Sequence, residues 1–249
     1  MTDLLKDRII LVTGAGGGLG RAFAQAFAGQ GARVICADRN LAGAQDTARG
    51  LGNETQAFGL DVTQETQAQA LAEFAVQKHG RIDVLVNNAA IYAGLSRKPF
   101  WELGVDEWEQ VQAVNVKGVW LCAKAVLPHM RAQGAGKIIN ISSATVFSGS
   151  PMWAHYVTSK AAVIGLTRAM AKECGEFGVT VNAIAPGFTL TEASLGLVPG
   201  AVSHNVDRGA IKRNAEAGDI VGTAVFLASA ASDFITGQTI VVDGGRQFI

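Results

Sequence analysis

Tyr156 and Lys160 stand four residues apart in the segment Tyr156-Val157-Thr158-Ser159-Lys160, a spacing that puts two side chains on one face of a helix. A free phenol titrates near pH ~10 and is a poor base at neutrality. An ammonium group beside it favours the phenolate and lowers that value. Such a pair could take an alcohol proton while hydride leaves the adjacent carbon. Taken alone, the spacing also fits an exposed helical pair with no chemistry. A destination for the hydride is suggested by Thr13-Gly14-Ala15-Gly16-Gly17-Gly18-Leu19-Gly20. The pattern G-x-G-x-x-G fails from Gly14, because its last position is Leu19, but T-G-x-x-x-G-x-G fits with Gly14, Gly18 and Gly20. Glycines here, Gly17 included, let the chain turn tightly against a pyrophosphate seated on a helix N-terminus. The plainer alternative is a flexible turn. Asp38 follows Gly18 by twenty residues, where a carboxylate can accept hydrogen bonds from the adenosine ribose. Its charge would repel a 2′-phosphate and so favours NAD. Arg39 could neutralise such a phosphate, which keeps NADP or dual use open, and Asp38 could also cap a helix starting at Leu41.

Elements able to hold these residues are visible in the pattern. Short β-branched, nearly continuous apolar runs at 8–13, 33–37, 55–60, 83–86, 137–142, 179–184 and 239–242 predict seven strands. Helical periodicity is predicted over 19–29, 41–51 and 64–79, and over 106–133 as one or two helices. Apolar strands alternating with helices imply an α/β fold: a Rossmann-type, doubly wound parallel sheet covered on both faces. No linker or repeat divides the chain, so a single dinucleotide-binding catalytic domain over 1–249 is expected. Residues 188–214 break the periodicity, mixing apolar side chains with Thr189, His204 and Arg208. They read as a substrate lid, or else as an irregular surface helix pair with His204 and Arg208 in solvent.

Composition narrows the classes further. The 249 residues carry 21 basic and 21 acidic side chains, a balance that argues against nucleic-acid binding. Glycine, at 30 residues, exceeds the usual ~7% share. Cys36, Cys122 and Cys174 are far apart, which argues against a disulfide scaffold or a metal site and points to a reducing compartment. No apolar run approaches the ~20 residues that span a bilayer, and the N-terminus has no signal-peptide pattern. A cytoplasmic location is expected.

Together these motifs resemble the short-chain dehydrogenase/reductase family, and the likeness runs over essentially the whole chain. The resemblance implies that Asp61 and Val62 border the adenine site and that Asn87-Asn88-Ala89-Ala90 matches a motif whose last residue is usually glycine. It implies cofactor contacts from Leu19, Asn88, Ala89, Pro186, Gly187 and Thr189, with Tyr156 and Lys160 also touching the cofactor. Ser143, thirteen residues before Tyr156, is implied to hold the substrate oxygen. Asn115 is implied to support a water relay to Lys160, completing a catalytic set of Asn115, Ser143, Tyr156 and Lys160. A homotetramer is implied as well. Substrate contacts are expected from Ser143, Thr145, Trp153, Tyr156 and Phe188, with Val146, Phe147 and Tyr92 nearby. No basic cluster stands out among these, so a neutral, hydrophobic or aromatic alcohol or ketone is expected, with similarity to bacterial aromatic alcohol dehydrogenases. Trp153 and Phe147 could equally be core or interface residues. The competing readings are an NADPH-dependent ketone or 3-oxoacyl-thioester reductase and a non-catalytic dinucleotide sensor.

Overall fold

The computed structural model describes residues 3–52, 54–197 and 206–249. Seven strands form one parallel sheet: β1 (Ile9–Thr13), β2 (Arg33–Asp38), β3 (Gln56–Gly59), β4 (Val84–Asn87), β5 (Gly136–Ile141), β6 (Val179–Pro186) and β9 (Thr239–Val242). Their order across the sheet is β3-β2-β1-β4-β5-β6-β9. The order reverses between β1 and β4, which opens a crevice at the carboxyl ends of those strands.

Alternate residues of the central strands face opposite layers. Leu11, Ile35, Leu85 and Ile138 join one apolar cluster with α3 (Glu65–His79), α5 (Gly118–Gln133) and α7 (Ala154–Cys174). Ile10, Val34, Val84 and Ile139 join the other with α1 (Gly18–Gly29), α2 (Leu41–Ala48) and α9 (Ala217–Ala228). Burial on both faces is why these strands read as continuous apolar runs rather than as alternating ones. The seven strands stand where the periodicity placed them, with ends moved by a residue or two.

Two details position the chemistry. The predicted helical stretch 106–133 divides into α4 (Val105–Gln112), a π-helical turn (Ala113–Lys117) and α5. The widened turn carries Asn115, and such turns often mark functional sites. A buried chain then ties α7 to the sheet: Asn87 Nδ2 donates to Asn140 Oδ1 at 2.9 Å, and Asn140 Nδ2 donates to Thr167 Oγ1 at 2.9 Å. Buried amides with satisfied partners fix one docking of the helix, since leaving any of them unpaired would cost about 1–3 kcal/mol. The expected lid is not one element. It contains β7 (Thr189–Leu190), α8 (Glu192–Leu197) and a 3₁₀ turn (Val206–Arg208), and β7 pairs with β8 (Ala215–Glu216). His204 lies outside the described residues. Among the described residues, no helix is long and apolar enough to cross a membrane. All three cysteines are free and buried.

Candidate active site

Helix α7 brings Tyr156 and Lys160 to the floor of a cleft of about 510 Å³. Both are buried, at 6% and 3% exposure, and Lys160 Nζ stands 5.8 Å from the Tyr156 ring centroid. Ser143, just beyond β5, lines the same cleft as Tyr156 and pulls its phenol downward. Its own hydroxyl accepts from Thr145 Oγ1 at 2.9 Å and from Thr145 N at 3.2 Å. Thr145 opens α6 (Thr145–Ser148) and so holds Ser143 toward the cleft.

The electrostatics correct one expectation. The Tyr156 phenol is raised above its ordinary range, chiefly by burial and then by Tyr92, with only Ser143 pulling it down. Lys160 does not lower it, because its Nζ turns to the strand end and donates to Ile141 O at 2.8 Å. Burial pushes Lys160 down to about 8. Desolvation therefore outweighs the cation at the phenol, and the tyrosine is protonated at neutral pH.

Asn115 is fully buried. Its Oδ1 accepts from Ile91 N at 2.7 Å, and its Nδ2 donates to Ile91 O at 3.2 Å and to Ser159 Oγ at 3.1 Å. Ser159 Oγ in turn donates to Tyr156 O at 2.7 Å. Asn115 thus clamps the loop after β4 to the helix that carries Tyr156. Neither spacing nor residue type marks Ser159, the buried hydroxyl inside the Tyr–Lys motif that makes this link.

The glycine turn is built for close approach. Gly14 has φ +67°, and a Cβ there would fall 2.8 Å from Ala89 Cα. A Cβ on Gly20 would fall 2.0 Å from Gly14 O. Asn88 closes the turn from β4, its Nδ2 donating to Thr13 O and Gly14 O at 3.0 and 3.1 Å. Ala89 N and Asn88 N both donate to Thr13 Oγ1. Helix α1 begins at this turn with Gly17 as its cap and no side chain bonding its first N–H groups. A bare helix start at the mouth of a cleft offers donors and a positive dipole end to a phosphate group, so the residues present fit a dinucleotide.

A family model described as Enoyl-(Acyl carrier protein) reductase matches residues 14–247. The 3-oxoacyl-(acyl-carrier-protein) reductase FabG of Thermotoga maritima is 38% identical over 245 residues, covering 97% of this chain and 98% of that one. Galactitol 2-dehydrogenase of Agrobacterium fabrum is 41% identical over 258 residues, covering 97% and 98%. This chain belongs to the short-chain dehydrogenase/reductase family. It also matches the crystal structure of the Brucella melitensis 3-ketoacyl-(acyl-carrier-protein) reductase complexed with NADH, with a TM-score of 0.92 and 31% identity over 98% of this chain and 100% of that one.

The remaining expected positions of this short-chain family oxidoreductase fall out as follows. Asp38 ends β2 with Oδ2 accepting from Gly16 N and Oδ1 from Asn40 N, each at 2.8 Å. It is not the cap of α2; Asn40 is, its side chain accepting from Gly43 N. Arg39 is exposed beside Asp38, and its charge helps hold Asp61 below the usual carboxylate range, after the larger effect of two hydrogen bonds from Thr63. Val62 is buried against α5, where a Cβ on Gly118 would fall 2.6 Å from Val62 Cγ2. Gly18, Leu19, Asn88, Ala90, Pro186, Gly187 and Thr189 line the cleft. Ala90 replaces the family's usual glycine there without closing the space.

On the substrate side, Trp153 is buried at 4% exposure and lines the cleft with Thr145, Tyr92 and Phe188. Its ring lies 4.9 Å from that of Tyr156 and 5.3 Å from that of Tyr92. Val146 and Phe147 do not line the cleft, whereas Thr145 and Ser148 of the same short helix do. Beyond the positions expected at the substrate, Arg97, Arg208 and Arg246 also reach the lining, Arg97 and Arg208 as exposed residues. Among the described residues, no group of three His, Cys, Asp or Glu side chains could hold a metal ion.

Proposed function

We propose that this short-chain family oxidoreductase interconverts a secondary alcohol and a ketone with NAD(H), in one catalytic domain, on substrates with an apolar or aromatic body. The observation that carries this reading is the meeting of Ser143, Tyr156 and a buried Lys160 in one cleft, beside an uncapped helix N-terminus. The glycine turn and Asn88 would seat the pyrophosphate, Asp38 the adenosine ribose, and Asp61 and Val62 the adenine. Leu19, Ala89, Pro186, Gly187 and Thr189 would border the nicotinamide half. A bound nicotinamide supplies the hydride acceptor or donor.

The chain's own groups would manage the proton. In reduction, the protonated Tyr156 donates to the ketone oxygen while Ser143 donates a second hydrogen bond and orients it. In oxidation, the phenolate accepts the alcohol proton. In reduction, the Lys160 ammonium would balance the phenolate left when Tyr156 gives up its proton, and Asn115 holds the helix against Ile91 so that the two hydroxyls converge. Tyr92 and Trp153 exclude water from one side.

NAD rather than NADP is favoured by the Asp38 carboxylate at the end of β2. With Oδ1 and Oδ2 fixed by Asn40 N and Gly16 N, it would stand against a 2′-phosphate. Fluorescence titration should give a Kd for NADH at least tenfold below that for NADPH, a preference of about 1.4 kcal/mol. Tight NADPH binding with none for NADH would overturn the role given to Asp38. It would favour the reductase reading suggested by the relatives named 3-oxoacyl-(acyl-carrier-protein) reductases.

Lys160 separates function from stability. Its ammonium, buried and bonded to one carbonyl, disfavours folding fully below pH ~8 and not at all above the free-chain value near ~10.4. Lys160→Met should therefore lose activity yet melt at a temperature equal to or above wild type. The gain should be largest below pH 8 and vanish by pH ~10.4. Thermal melts across that range check the sign, and a deficit largest at low pH would contradict it.

The reading includes a homotetramer. Trp108 and Trp120 are partly exposed and form, with Val116 and Leu166, an apolar depression over α4, α5 and α7 that further copies of this chain would cover. Light scattering giving the mass of a lone chain would contradict this. Three buried free cysteines, two of them with thiols pushed up to about 12 by burial, support the expected reducing, cytoplasmic setting.

A further inference from the structure

Three guanidinium groups converge on the cleft from segments remote in sequence. Arg97 comes from the loop after β4, Arg208 from the 3₁₀ turn and Arg246 from the stretch after β9. With Lys160 they give the lining four cations and, among the described residues, no carboxylate. The whole chain, by contrast, balances 21 against 21. None of the three arginines is in an ion pair within 4.0 Å among the described residues.

Their placement is built rather than incidental. Arg97 lies over the Trp153 ring at 4.3 Å, on the wall that Trp153 shares with Tyr156. The segment after Arg208 is pinned to the C-terminal loop, where Ile211 N donates to Gly244 O at 2.9 Å. That loop abuts Gly187, whose Cβ would fall 2.7 Å from Asp243 Cβ, so Arg208 and Arg246 flank the substrate end beside Phe188. Arg246 is half-buried, and its guanidinium is lowered below its usual range by burial and then by Arg208. Asp243 partly offsets this, but its Oδ1 is committed to Gly245 N and Arg246 N at 3.0 Å each. Arg208, exposed, and Arg246, half-buried, both line the cavity; a lining with cations and no carboxylate has a field that favours an anion, and a guanidinium matches carboxylate or phosphate geometry.

We propose that Arg208 and Arg246, with Arg97 at the rim, form a subsite for an anionic oxygen group, a carboxylate or a phosphate, carried by the substrate away from its carbinol carbon. This rests on the alcohol–ketone reading above and narrows it to substrates with an apolar body and a charged end.

The test compares reduction of an aryl methyl ketone with its ring-carboxylate and ring-phosphate analogues. For wild type, kcat/KM for one of the anionic ketones should exceed that for the neutral one by roughly tenfold or more, and which of them gains identifies the group. The preference should shrink with added salt, collapse in Arg246→Gln and in Arg208→Gln, and partly return in Arg246→Lys. The Kd for NADH should stay within about twofold across these variants, against the roughly tenfold substrate effect. Equal turnover of neutral and anionic ketones by wild type would overturn the subsite while leaving the alcohol–ketone reading standing. A parallel loss of NADH affinity in the variants would assign the arginines to the cofactor phosphates and overturn it too. Turnover of no ketone at all would overturn the underlying reading, and the subsite with it.

Discussion

Replacing Tyr156 with phenylalanine should lower kcat by about 10²–10⁴-fold in both directions, with NADH affinity and thermal stability close to wild type. The change deletes one oxygen and nothing else. The ring keeps its contacts with Tyr92 and Trp153 at 5.7 and 4.9 Å, so the cleft wall survives. What is lost is the proton that the phenol would pass to the substrate oxygen. Burial raises the phenol above its ordinary range while the Lys160 ammonium points to Ile141 O. The protonated tyrosine is therefore ready to serve ketone reduction at neutral pH, and alcohol oxidation should gain with rising pH as phenolate becomes accessible. Steady-state kinetics of both directions from pH 6 to 10, as a buffer range, reads this directly. An unchanged kcat in Tyr156→Phe would end the acid–base assignment.

Gly20→Ala should be the most damaging single methyl addition in the cofactor turn. Position 20 is in α1, where alanine would by propensity alone add about 1 kcal/mol of helix stability. The new Cβ, however, would fall 2.0 Å from Gly14 O and 2.7 Å from Asn88 Nδ2. Neither can step aside: Gly14 O belongs to the backbone of the turn, and Asn88 Nδ2 is bonded to Thr13 O and Gly14 O. The turn must shift, at a cost of about 1–3 kcal/mol net of local relaxation, and its N–H groups move with it. Urea unfolding should show that loss, and NADH affinity should fall at least roughly tenfold. Gly29→Ala in the same helix, where a Cβ meets nothing within 4 Å, serves as the control and should be neutral or stabilising. Equal behaviour of the two variants would contradict the close-packed turn.

Much of this was readable in the sequence because burial on both faces leaves strands almost wholly apolar. The turn at Gly14–Gly20 and the Tyr156–Lys160 pair were legible for a similar reason, since each depends on near neighbours in the chain. Other features depend on contacts that spacing does not encode. The π-helical turn at Asn115 continues a helical pattern without interruption, so only the docking of Asn115 onto Ile91 and Ser159 reveals its purpose. Arg97, Arg208 and Arg246 are about forty to a hundred and fifty residues apart and meet only through the fold. The direction of the Tyr156 shift turned on how deeply the fold buries the phenol, which the i, i+4 spacing does not encode.

The proposed chemistry is direct hydride transfer between a carbinol carbon and a nicotinamide ring at this cleft. Incubating the purified protein with NAD+ and secondary alcohols deuterated at the carbinol carbon, then weighing the recovered dinucleotide by mass spectrometry, tests it most directly. The account predicts NADH carrying one deuterium, formed by wild type and nearly absent with Tyr156→Phe. Recovery of unlabelled dinucleotide only, across apolar, aromatic and acid-bearing alcohols alike, would contradict it.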